Sequence, residues 1–176
     1  PLPFTKRAYL LQTLGLYDAV HKEVEEALKI SPEDFDSYKL LGEMYGIKKN
    51  YIRAFENFRI ATILRPHDPQ IRVSLARAYE SLKDYKGAIS QYDRVIEVAP
   101  KNSKAYYGLA KCYAYLGREK AALNFFRQAK AISPEDKIDV QEIHDIIDKN
   151  KKTKKEVISR KSDEIEKIKS KQLNNI

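Results

Sequence analysis

The chain contains no tryptophan, one cysteine, one methionine and six glycines in 176 residues. One cysteine excludes an internal disulfide framework and fits a reducing compartment, so a cytoplasmic setting is favoured. So few glycines leave no Gly-rich phosphate loop and no nucleophile elbow. No apolar run approaches the roughly 20 residues needed to span a bilayer. The start, PLPFTKRAYLL, has neither an initiating Met nor a signal-peptide pattern, and reads as that of a fragment or a processed form. Histidine is sparse as well. His21, His67 and His144 lie far apart, and none pairs locally with a residue at metal-ligand spacing. Neither catalysis, a metal nor a cofactor is expected from this inventory.

What is present is a period. Prolines stand at 32, 66, 100 and 134, each 34 residues after the last. Leu41, Leu75 and Leu109 share the spacing, as do Tyr45, Tyr79 and Tyr113. Small residues follow it at Gly42, Ala76 and Ala110, and again at Ala54, Ala88 and Ala122. So do Phe58, Tyr92 and Phe126, then Ala27, Ala61, Val95 and Ala129. A period of this length with helix-compatible internal spacing marks an array of helical hairpins. Within each unit the apolar residues fall at i, i+3, i+4 and i+7, so each helix buries one stripe. Small side chains belong where two helices approach closely, and Pro closes each unit because it cannot continue a helix. Ser31–Asp34 and Ser133–Asp136 both read SPED, offering Ser and Asp as helix caps. Gly15, Lys49, Lys83 and Gly117 mark the turn within each hairpin.

This pattern closely resembles the tetratricopeptide repeat family. The second unit supplies Tyr38, Leu41-Gly42, Tyr45, Ala54, Phe58, Ala61 and Pro66, and the fourth Tyr106, Leu109-Ala110, Tyr113, Ala122, Phe126, Ala129 and Pro134. The third departs only at Arg72, where a bulky apolar residue is expected, while the first is degenerate, with Arg7, Val20 and Val24 off pattern. The resemblance implies an all-α fold, a tetratricopeptide-type helical-hairpin solenoid or α-α superhelix with a C-terminal capping helix. Residues 1–134 would hold four units (1–34, 35–68, 69–102 and 103–136), residues 137–148 the cap, and residues 149–176 a basic, charged helical extension. Val140, Ile143 and Ile147, with Ile146 beside them, supply the apolar stripe of that cap, and Ile158, Ile165 and Ile168 a thinner one beyond it.

The resemblance also implies a non-catalytic scaffold that binds a peptide segment of a protein partner in a concave groove lined by the first helix of each unit. By register, the groove positions are Thr5, Tyr9 and Gln12, then Lys39, Glu43 and Ile47, then Gln70, Arg77 and Ser81, and finally Lys104, Tyr107, Lys111 and Tyr115. Tyr107, Lys111 and Tyr115 are spaced i, i+4 and i+8, on one helical stripe. With Arg77 and Lys104 they form an aromatic and cationic strip suited to an acidic peptide. Some family members grip a terminal carboxylate with two Lys, two Asn and one Arg. Here Lys39 and Lys104 remain, but Glu43 and Ser74 replace Asn and Gly108 replaces Arg, so that clamp is not supported. The remaining residues of YYGLAKCYAYLG (106–117) are assigned to packing: Tyr106, Leu109, Ala110, Cys112, Tyr113 and Leu116. The main alternative is a structural or self-associating subunit whose first unit or C-terminal helix packs on another chain, giving a homo-oligomer through the termini. The net charge of +8, concentrated in residues 101–130 and in KNKKTKK at 149–155, invites nucleic acid, but no nucleic-acid-reading motif accompanies it.

Overall fold

The computed structural model describes residues 4–135 and 140–173, with side chains described for residues 6–135 and 140–165. The expected cap Asp136, residues 137–139 and both chain ends (1–3 and 174–176) lie outside the described residues, as do the side chains of Phe4, Thr5 and Ile168. Nine helices follow one another among the described residues: α1 (Phe4–Thr13), α2 (Tyr17–Ile30), α3 (Phe35–Ile47), α4 (Tyr51–Leu64), α5 (Pro69–Ser81), α6 (Tyr85–Val98), α7 (Ser103–Tyr115), α8 (Glu119–Ile132) and α9 (Val140–Leu173). The described chain is all-helical, and α1 to α8 pair consecutively into four hairpins stacked as a solenoid.

Local chemistry sets each boundary. The middle residue of each turn between paired helices has left-handed backbone: Gly15 at φ 73°, Lys49 at 57°, Lys83 at 62° and Gly117 at 71°. That conformation lets the next amide turn back onto the first helix, as in Asn50 N–H to the Tyr45 carbonyl (2.9 Å) and Asp84 N–H to Tyr79 (2.9 Å). Asn50 and Asp84 then cap α4 and α6, accepting from Arg53 N–H (3.3 Å) and Gly87 N–H (2.9 Å). The equivalent positions before α2 and α8 carry Leu16 and Arg118, whose side chains make no cap bond. Between hairpins, Asp34, Asp68 and Asn102 cap α3, α5 and α7 through their side-chain oxygens. Arg72, the departure from the period, makes the bond its counterpart makes. Tyr38 Oη donates to the Pro32 carbonyl at 3.0 Å, and Arg72 Nε to the Pro66 carbonyl at 2.8 Å.

The core is a series of clusters, each straddling two neighbouring units. Met44 and Leu40 pack on Val20 and Val24; Ala78 and Leu75 on Phe58 and Ala54; Cys112 and Leu109 on Tyr92 and Ala88. Each hairpin is thus held by its neighbours as well as by the packing of its own two helices, the energetics of a one-dimensional stack. Cys112 is fully buried, and burial, reinforced by the charge of Glu80, pushes its thiol well above the ordinary range. It is a packing residue.

The fourth unit is covered by α9. Ile143, Ile146 and Ile147 pack on Ala110, Ala114 and Ala122, and Asn150 Nδ2 donates to the carbonyls of Ala114 (2.7 Å) and Tyr115 (3.2 Å). Two expected packing residues lie outside this cluster. Val140 is 44% exposed, one turn ahead of the contact, and Leu116 is 37% exposed at the C-cap, where the chain has already left α7. Every residue from 151 to 165 is exposed, although the helix continues without a break.

Candidate functional site

The odd-numbered helices face one another along the stack. α1 packs against α3, α5 against α7 and α7 against α9, whereas no even-numbered helix packs comparably on the next even one. The inner face is therefore lined by α1, α3, α5, α7 and the start of α9. The candidate groove residues occupy it in three groups.

At the first end, Tyr9, Lys39 and Glu43 form a half-buried cluster. The Lys39 ammonium lies 6.0 Å from the centre of the Tyr9 ring. Burial, partly offset by Lys39, pushes the Tyr9 hydroxyl up, and burial likewise raises the Glu43 carboxyl against the pull of Lys39 and a hydrogen bond from Gln12. Burial works against the charge on Lys39, but Tyr9 and Glu43 outweigh it and hold the ammonium above its ordinary range. These three residues are already balanced against one another.

At the far end the strip is also engaged by its own chain. Lys111 Nζ meets Glu80 Oε2 at 2.9 Å, with the two side chains 22% and 11% exposed. Burial opposes the Lys111 charge, yet Glu80 and then Glu142 override it, so its basicity is raised. The same Glu80 accepts a short hydrogen bond from the Tyr92 hydroxyl, and Tyr107 donates a short one to Glu142 of α9. Lys111 Nζ also sits 5.7 Å from the Tyr107 ring centre. Tyr107 and Lys111 are thus half-buried parts of a network rather than open groups. Tyr115 is 42% exposed and stacks on Tyr85, with centroids 4.5 Å apart and planes 6° from parallel.

Between these ends lie Gln70, Arg77 and Lys104. All three are exposed, and neither Arg77 nor Lys104 forms an ion pair among the described residues. The accessible charge on the inner face at α5 and α7 is therefore cationic.

Glu80 and Glu142 were not among the residues expected here. Glu80 did carry a signal. Its counterparts 34 residues away are Gly46 and Ala114, so a carboxylate replaces a small residue in one unit only. That same unit is the one with Tyr rather than Phe at the aromatic slot, Tyr92 against Phe58 and Phe126. A buried hydroxyl needs an acceptor, and the two departures answer each other. Gly108 completes the arrangement, because a Cβ there would come within 2.1 Å of the Tyr92 ring.

A stack of four helical hairpins with an accessible inner face defines a helical-repeat protein. Residues 48–96 and 81–144 each match a tetratricopeptide repeat model, together more than half of the sequence, and the chain belongs to the tetratricopeptide repeat family. It is 30% identical over 112 residues to Superkiller protein 3 of Schizosaccharomyces pombe, which covers 62% of this chain but 8% of that protein. Anaphase-promoting complex subunit 3 of the same organism is 28% identical over 141 residues, 76% of this chain and 21% of that one. The chain spans a small part of these relatives. MamA from Desulfovibrio magneticus RS-1 shares the fold, with a TM-score of 0.70 at 18% identity over 77% of this chain and 76% of that one. No helix among the described residues is long and apolar enough to cross a membrane.

Proposed function

We propose that the inner face binds an extended, acidic peptide segment of a protein partner, without catalysis. The observation that carries this reading is the exposure of Arg77 and Lys104 beside a strip in which Lys111 is ion-paired to Glu80 and Lys39 is half-buried. Lys111 is paired with Glu80 and Lys39 is half-buried beside the Tyr9 ring, so Arg77 and Lys104 are the exposed cations among these positions. The paired groups form fixed walls, which lowers the ordering cost of binding. Relatives named as subunits of larger complexes support a role in assembly. The test is binding of a fluorescein-labelled peptide of alternating Glu and Leu, measured by anisotropy. The Arg77→Glu, Lys104→Glu double variant, with helicity and melting unchanged, should bind at least about tenfold more weakly. Equal binding by both proteins would count decisively against the reading.

One observation favours a second reading, in which the first unit docks on another chain. Leu10 occupies the slot of Met44, Ala78 and Cys112, each of which is buried against the unit before it. Leu10 is 57% exposed, and Leu14 beside it 64%. That face matches the end of another helical hairpin, including that of a second copy. Self-association would give a mass in light scattering that rises with concentration and falls back in Leu10→Asp; a constant mass eliminates it.

A further inference from the structure

Among the described residues, the inner face opens between α3 and α5. α1 packs on α3 and α5 on α7, but α3 and α5 make at most a marginal contact, and a cleft of about 390 Å³ lies between them. Its floor includes the Phe58 ring and Ala54 of α4, while Glu43 and Gly46 form the α3 wall and Ser74 and Arg77 the α5 wall.

Two glycines line this cleft, and packing explains only one. A Cβ at Gly42 would come within 2.5 Å of the Phe58 ring, so Gly42 is required by the core. A Cβ at Gly46 would meet nothing within 4 Å, and Gly46 is helical with an ordinary backbone. Alanine would fit there and would stabilise the helix by about 1 kcal/mol. The space in front of Gly46 therefore has no occupant within the fold. Beside it stands Arg77, exposed and without an ion-pair partner among the described residues. An apolar floor, vacant room and an unpaired guanidinium thus meet in one cleft.

We propose that this cleft is the anchor pocket of the groove: it takes one bulky apolar side chain of the partner peptide, with a carboxylate one or two residues away paired to Arg77. The proposal rests on the peptide-binding reading above and names the side chains that reading left open. The volume lies at the low end of small-ligand sites, enough for one large side chain and the backbone next to it. The two walls differ in charge. Arg77 attracts an acidic residue on the α5 side, while Glu43, with Lys39 near it, offers no such attraction on the α3 side, so the walls fix the direction in which the segment lies.

The test uses the full chain panned against a random dodecapeptide library, followed by anisotropy on the enriched sequences made synthetically. Enriched peptides should pair Phe, Leu or Met with Asp or Glu within two positions. Gly46→Leu grows into open space and fills the cleft; it should keep or raise the melting temperature and weaken binding at least about tenfold. Arg77→Glu should weaken the acidic peptide more than its Asp→Asn or Glu→Gln analogue. If the peptides are weakened by Lys104→Glu but bind Gly46→Leu as they bind the parent, the anchor pocket is wrong and the groove reading stands. If no peptide is enriched, or enriched peptides ignore all three substitutions, both fall.

Discussion

The Tyr92 hydroxyl is buried among apolar side chains with one acceptor, Glu80, which also meets Lys111. Burial, then the adjacent Glu80 charge, keeps that hydroxyl protonated well above its ordinary range, and Lys111 is held protonated above its own. Both groups retain in the folded state a proton that the unfolded chain gives up, near pH 10 for Tyr and about 10.4 for Lys. Their contribution is therefore fully present below about pH 10 and is lost as pH rises beyond it. Tyr9 and Tyr85, also raised by burial first, act in the same direction. The urea midpoint should fall between about pH 9.5 and 11, and the fall should be shallower in Tyr92→Phe; parallel curves would show that Tyr92 is not the titrating group. At this scale the sequence was only partly legible. Register along a helix placed Arg77, Lys104, Tyr107, Lys111 and Tyr115 on α5 and α7. It could not show that Glu80 of α5 reaches Tyr92 of α6 and Lys111 of α7, because that depends on how neighbouring units are rotated. Nor could it show that Glu142 of α9 would be close enough to take the Tyr107 hydroxyl.

Whole helices were more legible, because the period repeats every constraint on them. A small residue recurs at one slot of each unit, Ala8, Gly42, Ala76 and Ala110, and so does the turn whose left-handed backbone Lys49 and Lys83 adopt without glycine. The same comparison shows what one helix lacks. Leu16 has φ −86° and ψ 63°, close to Asn50 at −87° and 76°, yet it offers no oxygen to the first turn of α2. It is also 51% exposed, so little packing is lost by replacing it. Leu16→Asn should stabilise the protein by about 1 kcal/mol, seen as a higher urea midpoint at unchanged slope. An unchanged midpoint would mean that α2 frays independently of the stack.

At the scale of the molecule, a one-dimensional stack must end on a surface that water tolerates. The fourth unit would present Ala110, Ala114, Ala122 and the Phe126 ring, and α9 covers them with Ile143, Ile146 and Ile147. The apolar stripe of that helix was readable from spacing alone, but its C-terminal anchor was not. Asn150 binds carbonyls at the end of α7, and Lys151 pairs with Glu119 at 2.8 Å, contacts that span about 35 residues of sequence. We infer a functional division within α9, its first part closing the stack and the part beyond residue 153 projecting from it. Ile143 is fully buried, so Ile143→Ala should cost about 2–4 kcal/mol. Ending the chain after Thr153 removes only exposed side chains among those described, leaves Asn150 and Lys151 in place, and should shift the melting temperature by no more than about 2 °C. A large loss of stability in the shortened chain, with Ile143→Ala nearly neutral, would reverse the assignment and make the projecting helix the element that holds the stack together.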